Sequence, residues 1–188
     1  MAAVTAVMSL RTTLGAALSR DLALHRRFAV ALPDNFSYYL TFPTILALHE
    51  GRNNRAILDR LEHSGFAYHS VHALYGRANL NDVLTEVATT ASSWGCPLGI
   101  EVDVDVLRHA PASSLNAAGV TIEDAYRYVA QLASLSEARY LHIPEAAPAL
   151  HPTGTEAGMR ACGQLLTELV LAFVHGRSNR GSGRQSKR

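Results

Sequence analysis

Leu98-Gly99-Ile100-Glu101-Val102-Asp103-Val104-Asp105 is the stretch that decides the fold. Gly95-Cys96-Pro97 breaks the chain just before it, and its first half is apolar and branched, as a buried strand requires. The second half alternates acid with valine. In an extended chain, successive side chains point to opposite sides, so Glu101, Asp103 and Asp105 would share one. Three carboxylates there repel one another unless something positive lies among them. A hard divalent cation is the natural compensator, because it prefers oxygen ligands and two carboxylates can chelate or bridge it. The alternative is a strand running out into a solvated acidic loop.

Working outward, short apolar runs alternate with amphipathic helical patterns. Thr44–Leu48 reads as a strand, Asn53–Ser64 as a helix stopped by Gly65, and Phe66–Val71 as a second strand. Asn81–Ser93 follows as a helix carrying Val83, Leu84, Val87, Ala88 and Ala91 on one face. Beyond the acidic strand, Thr121 is placed to cap a helix that buries Ile122, Ala125, Tyr126, Val129 and Ala133. Arg139–Ile143 is the fourth strand. The last helix, about Thr155 to Val174, has the apolar stripe Met159, Cys162, Leu165, Leu166, Leu169, Val170 and Phe173. Strand and helix in strict alternation mean βαβ units, hence a three-layer α/β/α fold around a mainly parallel sheet. In such sheets ligands collect at the carboxyl ends of strands. That rule singles out His49–Asn54, Asp103–Asn116 and Pro144–Pro152.

Composition narrows the classes. The chain has 188 residues, 48% hydrophobic and 18% charged, so it is globular and of one-domain size. No uninterrupted apolar run reaches the roughly 18–20 residues that span a bilayer, so no membrane partner is expected. The net charge of +1 is uneven: Gly176–Arg188 holds five basic groups and no acid, which leaves a body of 12 basic and 16 acidic groups. An acidic body argues against nucleic acid as a partner. The domain reading is a helical segment over residues 1–41, with a helix from about Ala6 to Arg27. An α/β domain follows over 42–175, then a basic, disordered tail over 176–188. Residues 1–20 contain no acid and also resemble an organelle transit peptide, which makes a mitochondrial location the alternative to a cytoplasmic one. Cys96 and Cys162 form no CxxC pair, which fits a reducing compartment. His49-Glu50 lacks the second histidine of a zinc-protease motif, since position 53 is Asn, and no GxSxG, GxGxxG or P-loop is present.

With these residues in view, Ile45–Phe173 resembles the carboxyl-terminal half of the ureohydrolases, the superfamily of arginase, agmatinase and formimidoylglutamase. Val102-Asp103-Val104-Asp105-Val106 is similar to the family's strand-end DxD, Glu145-Ala146-Ala147-Pro148 to its Glu-x-x-Pro element, and Thr155–Phe173 to its closing helix. Leu46-Ala47-Leu48-His49-Glu50 with Asn53-Asn54, Ala56–Glu62, and Tyr140–Glu145 lean towards the formimidoylglutamase branch. The resemblance implies an arginase-like fold and a two-manganese site whose bridging hydroxide attacks an amidine or guanidine carbon. Asp103 would bridge the ions, Asp105 would chelate one, and Glu145 would face the cationic group of the substrate. The implied substrate is N-formimidoyl-L-glutamate, hydrolysed to L-glutamate and formamide in histidine degradation, with an arginase- or agmatinase-type guanidine as the nearer alternative. The family's Gly-Gly-His/Asn-Asp segment and Asp-x-His-x-Asp motif have no match here. The chain therefore reads as N-terminally truncated, and His49 and His142 are the first residues that would have to complete an active site. The rival reading is a non-catalytic remnant that pairs with a second copy or a complementing chain through an open sheet edge.

Overall fold

The computed structural model describes residues 4–8, 30–31, 37–38, 44–48, 55–64, 67–76, 80–93, 98–114 and 117–185. A five-stranded sheet is built from β1 (Val4–Met8), β4 (Thr44–Leu48), β5 (Ala67–Ser70), β6 (Leu98–Val102) and β7 (Ala138–His142). The short strands β2 (Val30–Ala31) and β3 (Ser37–Tyr38) pair separately and antiparallel. The large sheet is parallel throughout, in the order β5-β4-β1-β6-β7. Its helices are α1 (Arg55–Ser64), α2 (Val71–Gly76), α3 (Leu80–Ser93), α4 (Ile122–Leu135) and α5 (Thr155–Gln185).

Strand order fixes where the layers fall. From β1 the chain moves outward one way, to β4 and then β5; it then returns across β1 to β6 and continues the other way to β7. Parallel crossovers are right-handed, so a reversal of direction moves the connecting helices to the opposite face. This sets α1 on one side and α3 with α4 on the other, and α3 and α4 do pack together. The reversal also creates a topological switch point between β1 and β6, where sheets of this type open a crevice at their carboxyl ends.

Two expectations at the chain ends are corrected. Residues 4–8, expected to begin a helix, form a central strand paired on both sides: Ala6 lies opposite Thr44 and Ile100, and Met8 opposite Leu46 and Val102. A short apolar run has no periodicity that separates a buried strand from a helix turn, and sheet pairing decided the outcome. The rest of the expected helix to Arg27 lies outside the described residues. At the other end, α5 runs on to Gln185 where a disordered tail was expected. Contacts hold it: Tyr126 Oη and His175 Nδ1 are 2.9 Å apart, and Gly176 docks on α4. Arg177 Nη1 donates to the Ala138 carbonyl at 3.1 Å, its guanidinium lying 5.7 Å from the Phe173 ring centre. These tertiary contacts anchor the start of the expected tail, at Gly176 and Arg177, against the helix-weakening effect of its Gly and Ser.

The core gathers Leu98, Ile100 and Val102 of β6, Tyr128, Val129 and Leu132 of α4, and Leu165, Leu169 and Ala172 of α5. A strand buried on both faces is what the continuous apolar run of β6 calls for. The stripe of α5 is rotated from the expected one: Gly158, Cys162, Leu165, Leu169, Ala172 and Gly176 are buried, whereas Met159 and Val170 are exposed. Small residues win because they let two helices approach closely. A Cβ on Gly176 would sit 2.3 Å from the Ala130 carbonyl oxygen. By length and composition Thr155–Arg180 could cross a bilayer; here its buried stripe packs against α4.

Thr121 caps α4 as expected, its hydroxyl oxygen accepting from the Asp124 amide at 3.1 Å. Thr121→Ala should lower stability by about 0.5–2 kcal/mol, the usual effect of losing a cap. Urea unfolding checks this, and an unchanged midpoint would show that α4 is held by packing alone.

Candidate active site

Past Val102 the backbone leaves the strand. Asp103 (φ −68°, ψ 121°) is still extended but caps a single 3-10 turn, Val104–Val106, so the alternation that would have aligned three acids is broken before Asp105. The Asp103 Oδ1 atom accepts from the Asp105 amide at 2.9 Å. This short turn converts a row of like charges into a local hydrogen-bonded loop, an arrangement that Asp favours at strand and helix ends.

Asp105 is held more tightly. Ser113 Oγ donates to its Oδ2 at 2.9 Å and lies 3.2 Å from Oδ1; the Ser114 amide donates to Oδ1 and the Ser114 hydroxyl to Oδ2, both at 3.0 Å. Both aspartates are buried, 1% and 3% exposed. The segment that brings the serines back is closed at its base by Val120, whose amide donates to Val106 and whose carbonyl accepts from Arg108. Nothing in Pro111-Ala112-Ser113-Ser114 marked those serines in the sequence, because a Ser pair after Pro-Ala reads as any polar loop.

Glu145 lies at the same end of the sheet. Pro144 accepts from the Val104 amide at 3.1 Å, Ala146 bridges to Ala112, and the Ala147 amide donates to Pro111 at 2.7 Å. Pinned on both sides, Glu145 takes φ 68°, and it is exposed. Left-handed backbone costs a non-glycine residue energy and persists only where its surroundings impose it, most often beside functional sites. Among the described residues only His109 (φ 57°) shares this feature, on the neighbouring loop.

Glu101 looks sideways instead. His142 of β7 lies opposite it in the register, and its Nδ1 donates to Glu101 Oε2 at 2.9 Å. Beneath them, the Tyr128 hydroxyl donates to the Glu101 carbonyl at 3.2 Å. Burial pushes the Tyr128 hydroxyl well above its ordinary range, reinforced by the charges of Glu101 and Tyr140. His142 is therefore committed to a carboxylate, and His49 lies outside the described residues.

The donor set of the described residues does not fit a two-manganese centre. Such a centre needs carboxylate and imidazole ligands from several strand ends. Among the described residues no group of three His, Cys, Asp or Glu side chains is gathered around one point. Only β1 and β7 flank β6. The sequence leaving β1 after Met8 is Ser9-Leu10-Arg11-Thr12-Thr13, with neither carboxylate nor imidazole.

Comparison with solved structures places this architecture. A formimidoylglutamase from Bacillus subtilis superimposes with a TM-score of 0.70 at 14% identity, over 94% of this chain and 54% of that one. An arginase from the same organism gives 0.68 at 13%, over 92% and 61%. A formiminoglutamase from Trypanosoma cruzi gives 0.65 at 12%, over 95% and 56%. The fold is thus arginase-like, and the chain spans little more than half the length of these enzymes. The match takes in more than nine-tenths of the chain, more than the stretch from Ile45 to Phe173 that the sequence resemblance covered. No family model and no curated protein sequence matches the chain.

Proposed function

We propose that this chain is a ureohydrolase-type protein that binds a small cationic amidine or guanidine at the carboxyl ends of β6 and β7. The formimino group of N-formimidoyl-L-glutamate is the first candidate ligand and the guanidinium of arginine the second. One observation carries the reading: Glu145 is forced into left-handed backbone at the strand end beside Asp103 and Asp105, in an arginase-like sheet. An exposed carboxylate fixed in position there offers a planar, two-oxygen acceptor to a planar, two-donor cation.

Titration calorimetry with N-formimidoyl-L-glutamate, L-arginine and agmatine tests this, with the neutral L-glutamine as control. The ligands that carry an amidinium or guanidinium group should bind, and L-glutamine, which has a neutral amide side chain, should not. Glu145→Gln should weaken binding at least about tenfold, since a hydrogen bond to a charged group is worth roughly 1.5–3 kcal/mol. Equal binding by the variant would reduce Glu145 to a loop residue. Release of formamide from N-formimidoyl-L-glutamate is the activity to assay in parallel. The described residues do not by themselves make up a hydrolytic centre, and a complementing chain is the partner we propose to supply further ligands.

A further inference from the structure

We infer that Asp105 is the anionic hub of a loop clasp made of protein alone, and that this chain assembles no two-manganese centre at the end of β6. The inference goes beyond the ligand-binding reading, since it concerns how the strand end is held together whatever ligand it takes.

Two carboxylates buried two residues apart either take up a proton or need their charge stabilised, and the charge can be stabilised in two ways. A cation can sit between them, or hydrogen-bond donors can surround each one. Asp105 follows the second way. A carboxylate offers about four acceptor directions, and Asp105 receives Ser113 Oγ, the Ser114 amide and Ser114 Oγ, with the first of these shared across both oxygens. A metal ion on Asp105 would therefore compete with serine donors that already stabilise its charge. Asp103 in turn serves the Asp105 amide, and that bond closes the turn which carries Asp105 to the serines. Each element of the clasp thus depends on the next, and each gives the aspartates a structural use.

The flanking strands agree. A second ion would need ligands from β1 or β7. The β7 imidazole, His142, is paired with Glu101, and the five residues that follow Met8 in the sequence, Ser9 to Thr13, contain neither carboxylate nor imidazole.

The test is a manganese titration of the full chain, followed by the electron paramagnetic resonance signal of the hydrated ion and by thermal melting. The hydrated-ion signal should grow in proportion to added manganese, with an unchanged melting temperature, since a ligand that does not bind the folded state cannot stabilise it. Saturable loss of that signal at two ions per chain, with a raised melting temperature that Asp105→Asn abolishes, would overturn the inference. The clasp has its own readout. Ser113→Ala/Ser114→Ala should lower the melting temperature, and Ser113→Thr, which keeps the hydroxyl, should not. If the double alanine variant fails to fold, Ser113→Ala alone takes its place, and a melting point equal to the parent's would remove the clasp. Amidine titration in chelator-treated buffer separates the two proposals. Failure of amidine binding with manganese still excluded would remove the ligand reading and leave this one standing.

Discussion

Tyr128→Ala should destabilise the protein by about 3–5 kcal/mol, the range for deleting a large buried ring. Tyr128 is fully buried, the largest such side chain among the described residues, and it stands where α4 meets β6. Alanine would leave a cavity between helix and sheet and would also remove the donor to the Glu101 carbonyl. For a domain whose total stability is on the order of 5–15 kcal/mol, much of the margin would go. Denaturant unfolding measures it, and a loss below about 1 kcal/mol would mean that the layers close over the gap. Tyr128→Phe separates ring from hydroxyl and should cost only about 0.5–1.5 kcal/mol at neutral pH. It also carries a pH signature. With its folded-state pKa raised, the Tyr128 hydroxyl stays protonated in the native state while the unfolded chain ionises near pH 10. Its stabilising effect is whole below that pH and falls as pH rises towards the native value, by about 1.4 kcal/mol per unit. The parent should therefore lose stability above pH 10 more steeply than Tyr128→Phe does, and parallel curves would contradict the burial.

Gly176→Leu should loosen α5 from α4. A new Cβ would meet the Ala130 carbonyl oxygen at 2.3 Å and the Ala133 methyl at 2.8 Å, and backbone cannot swing aside as a flexible side chain can. Overpacking of this kind costs roughly 1–3 kcal/mol or more, against about 0.8–1 kcal/mol gained by removing a glycine from a helix. The clash wins, and the melting temperature should fall. Gly163 is the internal control, since a Cβ there meets nothing within 4 Å. Gly163→Ala should stabilise by up to about 1 kcal/mol. If both variants shifted the same way, propensity rather than helix contact would govern α5.

How much of this was legible in the sequence depends on which interaction decides each part. The alternating strands and helices from Thr44 onward follow from local periodicity and begin within two residues of where that periodicity puts them, whereas the short helix α2 went unread and α5 runs well past its expected end near Val174. Thr121 as a cap was legible for the same reason, because the bond closes within four residues. The central position of β1 was not, since Val4–Met8 is too short to carry a period and its pairing partners lie 38 and 94 residues away. Asp103, Asp105 and Glu145 were singled out by residue type and by their place after strands, and it is this placement at one end of the sheet that the fold reproduces. The turn after Val102 and the return of Ser113 and Ser114 to Asp105 were hidden, because hydrogen bonds across a loop leave no pattern in composition. The pairing of Glu101 with His142 could be seen only once the register between β6 and β7 was known.

The guanidinium that Arg177 lays on the first carbonyl of β7 has a consequence for solubility. β7 is an outer strand, the kind of border along which another polypeptide can add itself. An arriving segment must first strip a charge-assisted bond from Ala138, at the end where registration would begin. A basic terminal helix thus serves as a bolt across an open seam, and it biases the chain against stacking with its own copies.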